Sequence, residues 1–139
     1  MSFILDTCVL SELARPVPDR GVTGWFEAQE AEALFLSVLT VGELELGVAV
    51  LPTGKKRSML TTWLATLRST FADRILPIDI ATAAVWGRSA ARARRRGRRL
   101  AVIDGLIAAT ASHHGYTVVT RNVSDFEATD AAVLNPWRG

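Results

Sequence analysis

Four short apolar stretches of this chain each carry an acid that a hydrophobic core would reject. They are FILD ending at Asp6, LTVGELELG around Glu43, VIDGLIAATA around Asp104, and VVTRNVSDF with Asp125. A lone carboxylate in such surroundings is strongly penalised, so each needs a donor, a proton or a cation. Any fold open to this chain must therefore bring these acids to places where they are compensated. The basic residues lie mostly elsewhere, which points to a cation and predicts a carboxylate pocket.

The order of elements around the acids suggests the fold. Residues 2–5 read as a short strand and 7–14 as a helix stopped by Pro16 and Pro18. Asp19 can cap a helix running through Trp25 and Phe26 to about Ala31. LFLSV at 34–38 is a strand leading into a helix over 40–51, which Pro52 and Gly54 end. Over 55–71, Met59, Leu60, Trp63, Leu64, Leu67 and Phe71 recur at helical spacing and read as core. RILPI at 74–78 is a third strand, and Asp79 caps a helix that carries an arginine run to Gly97. Residues 101–114 form another helix with Gly115 as C-cap. YTVVT at 116–120 and AVLNP at 132–136 complete the strands. Strands alternating with helices predict an α/β fold, with a central, mostly parallel sheet of 4–5 strands flanked by helices on both faces.

In that context Asp6 stands where the first strand hands over to a helix. There it can act as an N-cap or as a site residue, because ligands of open α/β sheets bind at the carboxyl ends of the strands. Asp125 follows the fourth strand on the same rim. Glu43 and Glu45 lie about 200° apart around one helix, so only one can face a common point. Position does not choose between them, although Gly42 beside Glu43 would permit a close approach. Asp104 has Ile107, Ala108 and Ala111 on its face and no cation, which makes it the sharpest site candidate.

Oxygen-only ligands select hard cations such as Mg2+ or Mn2+, whereas zinc would want imidazole or thiolate. His113 and His114 are adjacent and at a helix C-terminus, where the dipole explains them. The net charge is only +2, yet Arg88, Arg92, Arg94, Arg95, Arg96, Arg98 and Arg99 crowd one segment. That run is either a solvated face or a polyanion track, and guanidinium suits phosphate. Metal-held carboxylates beside arginines suggest phosphodiester hydrolysis by an activated water.

Other chemistries fail on residues. AVLPTGKKRS would be a phosphate loop, but Ala49 replaces the first glycine and Lys56 stands where Ser or Thr belongs. A phospho-acceptor receiver needs a late lysine, and only Lys55 and Lys56 exist. A haloacid-dehalogenase phosphatase needs an acid at position 8, which is Cys8. At 139 residues and 49% hydrophobic, the chain can bury one core but not two, so 1–139 is expected to be one domain. A single cysteine, no secretory leader and no stretch of roughly 20 apolar residues predict a cytoplasmic protein without a membrane span.

The motifs LDT at 5–7 followed by VLSEL, LSVLTVGELELGV at 36–48, IDGLIAATA at 103–111, TRNVSDF at 120–126 and NPW at 135–137 together resemble one family. It is the PIN domain, and within it the VapC toxins of toxin–antitoxin pairs, in the FitB-like branch. The resemblance implies a Mg2+- or Mn2+-dependent endoribonuclease with catalytic acids at Asp6, Glu43, Asp104 and Asp125, of which Asp6, Asp104 and Asp125 hold metal. Thr7, Thr120 and Asn122 would support those acids, and Arg92, Arg94, Arg95, Arg96, Arg98 and Arg99 are the candidate RNA track. It also implies a homodimer, to which Trp25, Phe26 and Trp63 could contribute. The implied partner is an antitoxin with a DNA-binding head and a tail in the toxin's groove, and the implied substrate a tRNA or ribosomal RNA. Two departures stand out. Cys8 replaces the usual asparagine of the DTN motif, which predicts a lost hydrogen bond, and Asn122 stands where relatives can carry the late acid, leaving Asp125. If those departures disable the chemistry, the alternative is a silent module that acts by antitoxin binding and operator control.

Overall fold

A computed structural model describes residues 1–137. Its elements are β1 (Phe3–Leu5), α1 (Thr7–Leu13), α2 (Arg20–Glu27), β2 (Leu34–Ser37), α3 (Val38–Ala49), α4 (Lys55–Thr70), β3 (Ile75–Leu76), α5 (Ile80–Arg95), α6 (Val102–His114), β4 (Thr117–Val119) and β5 (Ala132–Leu134). The strands form one parallel sheet in the order β3-β2-β1-β4-β5. Phe3 on the central strand lies opposite Leu34 on one side and Thr117 on the other.

Strand alternation divides the core. Phe3 and Leu5 join Val9, Leu10, Val22, Leu36, Leu44, Leu64 and Phe71 on one face, against α1 to α4. Ile4 turns to the other face, to Ile107, Ala108, Ala111, Val118 and Phe126. β1 is thus fully buried between two apolar layers, which is why its residues form a continuous apolar run rather than an alternating one. The chain moves outward from β1 through β2 to β3, then returns to the far side of β1 for β4 and β5. The order reverses between β1 and β4, and a crevice opens at the carboxyl ends of strands at such a switch point. Asp6 and Thr120 are the residues that follow those two strands.

Several elements differ from expectation for local reasons. The third strand is two residues long, and Pro77 ends it by removing a donor. α2 stops at Glu27, and a 3-10 turn over Ala31–Ala33 leads into β2. α3 starts at Val38 because the Ser37 hydroxyl accepts from Leu39 N at 3.0 Å. Met59 belongs to the α4 stripe by spacing but is 63% exposed. Trp25, Phe26 and Trp63 pack partly buried against the first core cluster, and Trp25 meets Phe3 edge-on at 5.0 Å. Among the described residues no helix is long and apolar enough to cross a membrane.

Candidate active site

Asp6 caps α1 and stands at the carboxyl end of β1, at the switch point of the sheet. Its Oδ1 accepts from Thr7 N at 2.9 Å, closing the first turn of α1. Its Oδ2 accepts from the Thr120 hydroxyl at 2.8 Å. A carboxylate offers about four lone-pair positions, so each oxygen keeps capacity for a further partner. Asp6 is 6% exposed and Thr120 is fully buried, so this link is rigid.

Thr120 organises the rim. Its single hydroxyl proton goes to Asp6, and its oxygen accepts from Asn122 N at 3.0 Å. Cys8 Sγ lies 3.4 Å from the same oxygen and 3.8 Å from Asp6 Oδ2, and accepts from Arg121 N at 3.5 Å. Since the Thr120 proton is committed, the thiol is the donor on this side, within reach of both Thr120 Oγ1 and Asp6 Oδ2, while it accepts from Arg121 N–H. The hydrogen bond expected to be lost at position 8 is therefore replaced rather than missing: the thiol accepts on one side and donates on the other. Burial pushes the Cys8 thiol up, in keeping with a protonated donor. Asn122 contributes its backbone N–H, while its exposed side chain makes no hydrogen bond among the described residues.

Thr7 distinguishes the two glutamates by what they touch. Its hydroxyl donates to Glu43 Oε1 at 2.6 Å, joining the start of α1 to α3. Glu45 is exposed and pairs with Arg68 at 3.2 Å. Gly42 faces open space rather than a neighbouring backbone. Asp104 sits in the first turn of α6 with its side chain half-buried. The tight contact is one residue on: a Cβ at Gly105 would lie 3.0 Å from Leu100 Cγ and Cδ2 and from Trp86 Cδ1. Gly105 thus lets α6 seat closely against α5 and sets where Asp104 begins. Asp125 is exposed, in a 3-10 turn over Val123–Phe126 that the sequence reads as loop.

The four acids converge electrostatically. The Asp104 carboxyl is raised to about 6, first by burial and then by the charges of Asp6, Asp125 and Glu43. Repelling carboxylates that form no ion pair among the described residues make an all-oxygen donor set suited to a hard cation. Among the described residues no three Asp, Glu, His or Cys side chains stand as a ready ligand group. Beside Glu43 and Thr7, a groove of about 550 Å³ runs between α1, α3 and α4, with Leu44, Val48, Leu51, Leu60 and Trp63 in its wall and Arg15 and Lys56 at its margin.

The family model for the PIN domain matches residues 3–132. This chain belongs to the PIN-domain family. The PIN domain is 44% identical to "Toxin FitB" of Neisseria gonorrhoeae over 96% of this chain and 97% of that one. It is 42% identical to "VapC ribonuclease Y4jK" of Sinorhizobium fredii, with 96% of each covered. Among solved structures, FitAB bound to an IR36 DNA fragment superposes with a TM-score of 0.93 at 42% identity, covering 99% of this chain and 96% of that one.

The arginine run of this PIN domain is not uniform. Arg92 pairs with Asp130, and Arg98 lies 3.7 Å from Glu127. These two tie the end of α5 and the α5–α6 connection to residues 127–130. Arg94, Arg95, Arg96 and Arg99 form no ion pair among the described residues. Sequence reading also passes over Glu12, which is 6% exposed and accepts from Asp19 N at 2.9 Å and from Arg15. Its signal is there to be read, since it is an acid on the buried side of α1, between Val9 and Leu13.

Proposed function

We propose that this PIN domain is the toxin of a toxin–antitoxin pair and acts as a Mg2+- or Mn2+-dependent endoribonuclease. The observation that carries the reading is the convergence of Asp6, Glu43, Asp104 and Asp125 on one edge, registered in the raised Asp104 carboxyl. Asp6, Asp104 and Asp125 would hold the ion. Bound there, it supplies Lewis-acid charge to the scissile phosphate and activates a water. Thr120 fixes Asp6 by occupying one lone pair of Oδ2, and Thr7 fixes Glu43 through Oε1, leaving Glu43 Oε2 free to take a proton. Arg94, Arg95, Arg96 and Arg99 are the RNA-facing part of the basic run, with Arg92 and Arg98 bracing the segment behind Asp125. The names of the relatives support the ribonuclease reading.

The groove beside Glu43 suits an antitoxin segment with apolar side chains, and the neighbours solved as toxin–antitoxin complexes support an antitoxin partner. The decisive experiment is cleavage of total RNA by antitoxin-free protein in Mg2+ or Mn2+ against EDTA, with Asp104→Asn alongside. Discrete metal-dependent fragments absent from the variant are expected. Equal cleavage by the variant, or none by either protein while antitoxin still binds, refutes the nuclease assignment.

A further inference from the structure

Two arginines lie over aromatic rings, and they use their donors differently. Arg74 sits 4.7 Å from the Phe71 ring centroid and gives its guanidinium to Ala31 O, Leu34 O and Thr70 O at 2.8 to 3.0 Å. That arginine is a structural clamp between α4 and the start of β2. Arg121 sits 5.5 Å from the Trp137 ring centroid, yet its exposed guanidinium has no hydrogen bond or ion pair among the described residues. All five of its N–H donors are unspent.

Its backbone, by contrast, is fixed at the acidic edge. Arg121 N donates to Cys8 Sγ, and the flanking Thr120 and Asn122 are joined to each other and, through Thr120, to Asp6. Trp137 is itself anchored, packing partly buried against the first core cluster. The residue is therefore held at its backbone by the site and at its head by an indole face. An arginine braced on a ring in this way loses less freedom when its fork grips a phosphate. The need for such a group is plain, because four carboxylates on one edge repel the polyanion they are read as cleaving.

Resting on the ribonuclease reading, we propose that Arg121, braced on Trp137, is the residue that binds an RNA phosphate at the acidic edge, with Trp137 its positioning residue. The test measures binding of a fluorescein-labelled single-stranded RNA in EDTA over a series of KCl concentrations, with Asp104→Asn as the non-cleaving parent. Adding Arg121→Ala should weaken binding about tenfold at low salt and reduce the slope of log K against log salt by about 0.7, the value of one neutralised phosphate on a single strand. Arg121→Lys should keep the slope while losing affinity, because charge remains and the planar fork does not. Trp137→Leu should do the same, whereas a purely structural role for Arg121 would leave the slope untouched in Arg121→Ala. An Arg121→Ala protein with the parent's affinity and slope overturns the proposal alone. Absence of RNA binding by the Asp104→Asn parent overturns both it and the ribonuclease reading.

Discussion

Replacing Asp104 by Asn should make the metal-free protein more stable, and the gain should depend on pH. Folding raises this carboxyl from 3.8 to about 6, so between those values the folded state binds a proton that the unfolded state has released. Stability therefore falls as pH rises through that window: the penalty is absent below 3.8 and fully present above about 6. The unscreened linkage value of such a rise is about 3 kcal/mol. Asp104 is only half-buried, so solvent screening reduces it to about 1 kcal/mol. A gain of that size corresponds to about 2–4 °C in melting temperature for a chain of this length. Thermal unfolding by circular dichroism in EDTA should show the Asn variant melting higher at pH 7.5 and level with wild type at pH 4. Added Mg2+ should close the gap at pH 7.5, because it stabilises the wild-type fold and has one ligand fewer in the variant. A difference that does not vary across the window, or an Asn variant that melts lower at pH 7.5, would refute the reasoning.

Thr120→Val removes the hydroxyl that donates to Asp6 and accepts from Asn122 N. It should cost about 2 kcal/mol in urea unfolding and weaken Mn2+ binding by about tenfold in a calorimetric titration. Gly105→Ala puts a methyl 3.0 Å from Leu100 and Trp86 and should cost about 1–3 kcal/mol, visible in the same unfolding curves. Replacing Arg94, Arg95, Arg96 and Arg99 by Ala should flatten the salt dependence of RNA binding by about 0.7 for each phosphate these arginines neutralise. Arg92→Ala should instead chiefly loosen the segment at Asp130, read as faster amide exchange over residues 127–130.

The elements are legible because their signals are local. Pro16 and Pro18 end α1, Asp19 and Asp79 accept from the N–H groups they cap at 2.8 to 3.2 Å, and Gly115 takes a φ of 74° at the end of α6. Apolar runs with charged helices between them announce a parallel sheet. The strand order is not readable, since a three-residue strand such as β1 carries no mark of which neighbour it will pair with. Its two neighbours start 31 and 114 residues away, at Leu34 and Thr117. Met59 is misread for a related reason: helical spacing gives a face but not what covers it.

The site divides along the same line. Asp6 and Asp104 can be found from their own surroundings, because a carboxylate in an apolar run is anomalous, whereas Glu43 cannot be told from Glu45 that way and Asp125 is exposed. What holds the acids cannot be found so either, because those bonds join residues far apart: Thr7 to Glu43 across 36 positions, and Thr120 to Asp6 across 114. Cys8 shows why the distinction matters. Against the family's asparagine it reads as a loss, a judgement about one residue in isolation. In the fold its neighbours are Asp6, Thr120 and Arg121, and the thiol accepts from Arg121 N at 3.5 Å while lying within donor reach of the other two. The same neighbours fix the backbone of Arg121, so the rim that carries the acids also carries a cation that none of the described acids has claimed.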